Sequence, residues 1–340
     1  MISKDEVNEQ SKSAVRQWWP LWTENARVNG EKYRKEGRSH KDLLFSGVGK
    51  TMLCVALSPS FEHEIETIKQ ADRNAVDIAC VDKAFPALMD RGIKPNYVVI
   101  ADAIIDYSWL ENHIDQTEDI ALIANVCSNT AWTLNWKGPV YFYTNKDNIE
   151  TEKELMQISG CKELIPASSN VGNTVVVFTV QVMGYDQYLL IGYDYGWTAT
   201  DNYYAFKDSD KRYWMKHFTA INHEGRMLDT SQNLHFSCRW IADFFNGMCV
   251  PHGIRVYNCS RNSYVALPYI SLKRALKMAK RRKISDIDKN KIASAFVENE
   301  SSTPMEFNQE AIKNKMANRQ FVGAIMQFIQ PERFKWIQSL

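Results

Sequence analysis

The chain has 340 residues, 45% hydrophobic and 24% charged, which suits one large α/β domain with appendages or two modest domains and excludes a disordered or fibrous protein. Its 41 lysines and arginines against 40 acids leave a formal charge of +1, so no global field points to nucleic acid or a membrane surface. The 7 cysteines form no CxxC pair and the 7 histidines no HExxH spacing, so neither a disulfide framework nor a zinc site is supported; no apolar run suits a bilayer span or a signal peptide, and a cytoplasmic protein is expected.

Residues 1–45 read as a polar helical arm, with Trp18, Trp19 and Trp22 around Pro20. Such a cluster suits pinning the arm to the body or forming a contact in a homo-oligomer. The string GVGKT at Gly47–Thr51 is not a P-loop, because Leu44 stands where the leading glycine belongs and the string precedes a strand instead of following one. Met52–Leu57 is the first strand, running through Ser58-Pro59-Ser60 into a helix, HEIETIKQA; this is a mononucleotide-binding arrangement without GxGxxG. Asp77–Val81 is a second strand with Asp82 and Lys83 at its end, and Phe85–Arg91 a helix closed by Gly92. The strand YVVIAD delivers Asp102; Ile120–Ala124 is followed by Asn125, Ser128 and Asn129; Val140–Tyr143 and Leu164-Ile165 complete this half. Strand, helix, strand in units of about 20–25 residues predicts a Rossmann-like, doubly wound, mostly parallel sheet.

In the stretch from Ser168 to Trp197, a loop holding Ser168, Ser169, Asn170, Gly172 and Asn173 opens an apolar helix, Val175–Met183, that Gly184 ends. Tyr188–Ile191 is then a buried strand with Gly192, Tyr193 and Asp194 at its carboxyl end, the edge where open parallel sheets bind ligands. The loop suits a phosphate or carboxylate at a helix N-terminus and is equally consistent with an ordinary helix cap. Ser58, Ser60, Asp82, Asp102, Asn125, Asn129, Ser168, Asn170, Asn173 and Asp194 all follow apolar strands, so a parallel sheet would gather them on one edge. Polar residues cap buried strands in any case, but ten together, with few cations, suit sugar hydroxyls, a nucleobase and a ribose.

Tyr203–Phe236 is aromatic and poorly periodic, as a lid would be, and carries Arg212, Lys216, His217, His223 and Arg226. His217 or His223 would serve as general base and a cation would neutralise a leaving phosphate; solvated loop histidines are the plainer reading. A helix over Cys238–Cys249 and a strand over Ile254–Tyr257 ending in Asn258 follow. From Ser271 the composition shifts to a basic helix, a linker and a polar helical tail. The expected organisation is an arm over 1–45, a nucleotide-binding core over 46–276 with a lid at 203–236, and a tail over 277–340.

The order and spacing of four segments resemble the 6-hydroxymethylpterin pyrophosphokinase MptE-like family, which includes the motility-associated (Maf) glycosyltransferases. They are ALSPSFE from Ala56, ACVDKAFPALMDRGIKPNYVVIADA from Ala79, SSNVGNTVVVFTVQVMGYDQYLLIGYDY from Ser168, and RVYNCSRNSYVALPYISLKRAL from Arg255. The resemblance implies a nucleotide donor bound across the carboxyl edge of a Rossmann-like sheet. It maps the donor turn onto Ser58, Pro59 and Ser60, an acidic strand end onto Asp102, the phosphate-side loop onto Ser169, Asn170, Gly172 and Asn173, and a late acid onto Asp194. Ser58 replaces the family's glycine, and Tyr203 and Tyr204 occupy the region of its histidine, so a base would come from His217, His223 or a carboxylate. The leading expectation is a nucleotide-dependent glycosyltransferase using a CMP- or UDP-sugar, with a hydroxyl acceptor on a protein, a glycan or a nucleic-acid base. Two alternatives stay open: Mg²⁺-dependent diphosphate transfer from ATP to a pterin-type alcohol, with Asp102 and Asp194 holding the metal, and a non-catalytic binding module that keeps the fold.

Overall fold

The computed structural model describes residues 4–145, 150–166, 168–185, 187–198, 203–206 and 218–280. A long helix, α1 (Lys4–Glu36), precedes a repeating series: β1 (Thr51–Val55), α2 (Ile65–Lys69), β2 (Val76–Val81), α3 (Ala84–Met89), β3 (Tyr97–Ile100), α4 (Ser108–Glu111), β4 (Ala121–Asn125), α5 (Thr130–Asn135), β5 (Val140–Asn145), α6 (Glu150–Ser159) and β6 (Leu164–Ile165). Then follow α7 (Val171–Phe178), β7 (Gln187–Ile191), a hairpin of β8 (Phe218–Ile221) and β9 (Met227–Thr230), α8 (Gln232–Asp243), β10 (Arg255–Asn258) and α9 (Leu272–Met278).

The main sheet has eight strands, all parallel, in the order β10-β7-β1-β2-β3-β4-β5-β6. Every residue of β1, β2, β4 and β7 is buried, as apolar strands covered on both faces must be. The chain winds outward from β1 to β6, and α7 carries it back across the sheet, packing on β1, β2 and β3, before β7 pairs with the other edge of β1. The doubly wound expectation holds, and the reversal puts a topological switch point between β1 and β7.

The predicted strands are present with ends shifted by a residue or two. The helix expected from Val175 begins four residues earlier, at Val171, because Asn170 caps it by accepting from the Asn173 N–H at 2.8 Å. It widens into a π turn over Thr179–Met183 that Gly184 ends with φ +69°, a left-handed conformation glycine adopts without strain. The helix expected from Cys238 starts at Gln232, capped by Ser231. Of the segment expected as a lid, 207–217 lie outside the described residues, and 218–230 form the antiparallel β8–β9 hairpin, to which Trp197 adds a bridge at Asp229.

The glycines of GVGKT have a packing role. A Cβ on Gly47 would fall 2.3 Å from the Tyr185 ring, and Lys50 pairs with the buried Asp77 at 3.0 Å, at the amino end of the sheet. The arm belongs to the body: α1 packs on α5 and α6, and a Cβ on Gly30 would fall 2.4 Å from the Ser159 carbonyl. Asn25 and Asn29, one turn apart, are buried and donate to the carbonyls of Cys127, Val126 and Ser128, each at 2.9 Å. They satisfy loop carbonyls that follow β4, fixing α1 over the carboxyl edge of the sheet. Among the described residues no helix is long and apolar enough to cross a membrane.

Candidate active site

At the switch point the backbones of β7 and β1 almost touch. Gly192 has φ +75°, and a Cβ there would lie 2.0 Å from the Ala56 carbonyl oxygen, so only glycine fits. Beside it opens a cavity of about 690 Å³ that runs along the carboxyl edge of the sheet. Its wall takes Ser58 from the end of β1, Asp82 and Lys83 from β2, Asp102 from β3, Asn125 from β4 and Asn145 from β5. Convergence on one edge is what parallel winding imposes on residues that follow strands.

The first turn of α7 supplies the part of the wall suited to an anion. Asn170, Val171 and Gly172 line the cavity, and the N–H groups of Val171 and Gly172, at the start of the helix, have no acceptor among the described residues. Two buried tyrosines hold this turn in place: Tyr193 donates to the Gly172 carbonyl at 2.8 Å and Tyr195 to the Asn173 side-chain oxygen at 2.7 Å. Tyr195 has φ +57°, unusual for a residue with a side chain, and its carbonyl is held by the Thr230 hydroxyl at 2.7 Å. Free N–H groups and the helix dipole together make this the favoured place for a phosphate.

Charge in the cavity is uneven. Among the described residues its lining holds three carboxylates, Asp82, Asp102 and Glu152, and one cation, Lys83. Asp82 is 3% exposed, and burial pushes its carboxyl up to about 6; the Lys83 N–H (2.6 Å from Oδ1) and charge pull it down, and the neighbouring Asp102 raises it further. No described residue hydrogen-bonds Asp82 Oδ2. Burial also opposes the charge of Lys83, but Tyr204, Asp82 and Asp102 outweigh that and lift it above the ordinary lysine value. Its Nζ donates to the Tyr204 hydroxyl at 3.0 Å and lies 4.9 Å from the ring centre.

The other expected site residues divide clearly. Ser58, Asp82, Asp102, Asn125, Asn170 and Gly172 reach the cavity. Asp194 does not line it: the residue is fully buried, and Oδ2 accepts from the Ser60 N–H at 2.9 Å, while the Ser60 hydroxyl accepts from the Asn262 N–H at 2.9 Å. Both therefore shape the turn after β1 from behind, with Pro59 buried in the same turn. Asn173 is fully buried and spends its amide on the Ser169 hydroxyl and the Ser237 carbonyl, at 2.9 and 3.0 Å. Asn258 accepts from the Ser260 N–H at 2.9 Å, also off the cavity. His223 sits on the β8–β9 turn, its ring stacked on Tyr269 with 3.7 Å between centres, and His217 lies outside the described residues.

Asp102 and Asp194 thus face different spaces, and among the described residues no group of three or more histidines, cysteines, aspartates and glutamates is arranged for a metal ion. The residues expected to hold Mg²⁺ do not fit it as a pair. Lys83, expected at a strand end beside Asp82, has no site role in the sequence, and Trp18 and Trp22, expected to pin the arm or to form an oligomer contact, line the cavity instead and carry no local mark of a site.

Among solved structures, the MAf glycosyltransferase from Magnetospirillum magneticum AMB-1 shares the fold, with a TM-score of 0.54 at 13% sequence identity over 92% of this chain. The match spans 49% of that structure, so this chain corresponds to about half its length. No curated protein sequence matches the chain. The sequence model of one family matches residues 25–200, from the buried Asn25 of α1 through the switch point and past β7, so the chain belongs to the 6-hydroxymethylpterin diphosphokinase MptE-like family.

Proposed function

We propose that the protein is a nucleotide-dependent transferase that moves a sugar from a CMP- or UDP-sugar to an acceptor hydroxyl. Family membership and the likeness to a glycosyltransferase fold support a transferase. The observation that carries the finer reading is the pairing of N–H groups at Val171 and Gly172 that have no acceptor among the described residues with a cavity whose described lining holds one cation, Lys83. Such a site accommodates one or two phosphates, whereas a triphosphate would meet three carboxylates.

In this reading the donor phosphate rests on the first turn of α7 with Lys83 beside it, and the nucleotide lies along the Ser58 turn. The acceptor oxygen bonds to the anomeric carbon as that carbon's bond to the phosphate oxygen breaks. The acceptor proton passes to Asp82, whose raised pKa suits a base working near neutrality, and the bonding electrons leave with the phosphate. The N–H groups and Lys83 meet that growing charge. Asp82 thus takes the role expected of His217 or His223. Diphosphate transfer from ATP to a pterin-type alcohol, the activity in the family's description, is the second reading. That chemistry would use Mg²⁺, for which Asp102 would be the remaining ligand, since Asp194 is buried away from the cavity.

A thermal-shift screen against CMP, UDP, GDP and ATP, each with and without Mg²⁺, separates the readings. A ligand at about one hundred times its dissociation constant adds roughly 2.7 kcal/mol. A shift with CMP or UDP alone is the expected result, and a shift confined to ATP with Mg²⁺ would transfer the assignment to diphosphate transfer. No shift with any nucleotide would leave a binding module.

A further inference from the structure

The cavity has a second end with different chemistry. Trp18 and Trp22 are spaced four residues apart on α1 and so share one face of the helix. Both line the cavity and both are half-buried. One turn after Trp22, Asn25 is bonded to the Cys127 carbonyl, which registers the indoles against the ends of β3 and β4, where Ala103 and Cys127 also line the wall. This end is two to three strand spacings from the switch point, about 10–14 Å at about 4.8 Å each. A donor at β1 and β7 leaves room for a second ligand here.

Four observations define what that ligand is. Neither indole N–H is hydrogen-bonded among the described residues, whereas Trp132 and Trp136 spend theirs on the carbonyls of Asp106 and Ile120, at 3.2 and 2.8 Å. The indoles share their wall with aliphatic Leu155 and with Ile104, which is 53% exposed despite its size. Among the described residues, the charged groups of the lining nearest this end in the fold are the carboxylates of Asp102, after β3, and Glu152, on α6, whereas Lys83 follows β2. Finally, both indoles belong to one helix and share one of its faces.

We infer that Trp18 and Trp22 form the acceptor subsite, and that it takes an uncharged sugar ring. A pyranose presents a face of C–H bonds to an indole while its edge hydroxyls reach the Asp102 carboxylate, the Asn145 amide and the indole N–H groups. Phosphate-bearing or acidic sugars are disfavoured by Asp102. The inference rests on the transferase reading above and adds the class of its acceptor, a neutral glycan.

The test is a glycan array probed with the full chain, run for the wild type, Trp18→Ala and Trp18→Phe, with nucleotide thermal shifts measured on the same preparations. Trp18 is chosen because it is half-exposed, and an unchanged unfolding temperature confirms that the variants fold. The expected result is binding of neutral glycans by the wild type, about tenfold weaker in Trp18→Ala, largely regained in Trp18→Phe, with CMP and UDP shifts unchanged in all three. Absence of glycan binding, a preference for acidic glycans, or binding indifferent to Trp18→Ala would overturn the subsite. If the nucleotide shifts persist in that case, the transferase reading survives without it. If they too are missing, both fall.

Discussion

Replacing Asp82 by asparagine should make the protein more stable and inactive. The carboxyl is 3% exposed, and its pKa rises from 3.8 to about 6 on folding, chiefly through burial. A rise of about two units corresponds to about 3 kcal/mol by which folding disfavours the charged form. The sign follows from proton binding: from about pH 4 to about pH 6 the unfolded chain has released a proton that the folded chain keeps. Wild-type stability therefore falls across that window and is flat above it. Asparagine has the shape of the protonated acid, can still accept from the Lys83 N–H, and never ionises. Urea unfolding of both proteins should accordingly give equal stabilities near pH 4 and an advantage of about 3 kcal/mol for Asp82→Asn near pH 7, while nucleotide binding persists and transfer is lost. Equal stabilities at both pH values would show that Asp82 is not held in the low-dielectric setting the geometry describes. An active variant would show that the proton goes elsewhere.

Gly192→Ala should prevent folding, because its Cβ would sit 2.0 Å from the Ala56 carbonyl at a left-handed backbone position; a cost above about 4 kcal/mol is expected, read as loss of soluble protein or of the unfolding transition. Lys83→Met should weaken CMP or UDP binding about tenfold and flatten its dependence on salt, measured by titration calorimetry at two ionic strengths. Lys50→Ala should cost about 2 kcal/mol by depriving Asp77 of its partner, with the Tyr185 hydroxyl (2.6 Å) still bonded to the carboxylate. Nucleotide shifts should be unchanged in Lys50→Ala, and their loss would revive a phosphate-binding role for GVGKT. Asn29→Ala should cost on the order of 3 kcal/mol in urea unfolding, since it bares the Val126 and Ser128 carbonyls.

The sheet and its binding edge were legible because their causes are local. Runs such as Met52–Val55 and Tyr188–Ile191 can only be strands buried on both faces, and Gly184 can end its helix only because glycine tolerates a left-handed backbone. Parallel winding then brings Ser58, Asp82, Asp102, Asn125 and Asn170 together without reference to side-chain detail. What a residue does after it reaches that edge depends on partners far along the chain. Asp194 turns inward because the Ser60 N–H, 134 residues away in sequence, lies behind it, and Asn173 because the Ser237 carbonyl does. The site roles of Lys83 and of the indole wall were equally hidden. Lys83 acquires its setting from Tyr204, and Trp18 and Trp22 reach the cavity because Asn25 and Asn29 satisfy loop carbonyls about a hundred residues on. Periodicity and capping are written in neighbouring residues; the direction of a side chain at a strand end is decided by whatever long-range contact satisfies it.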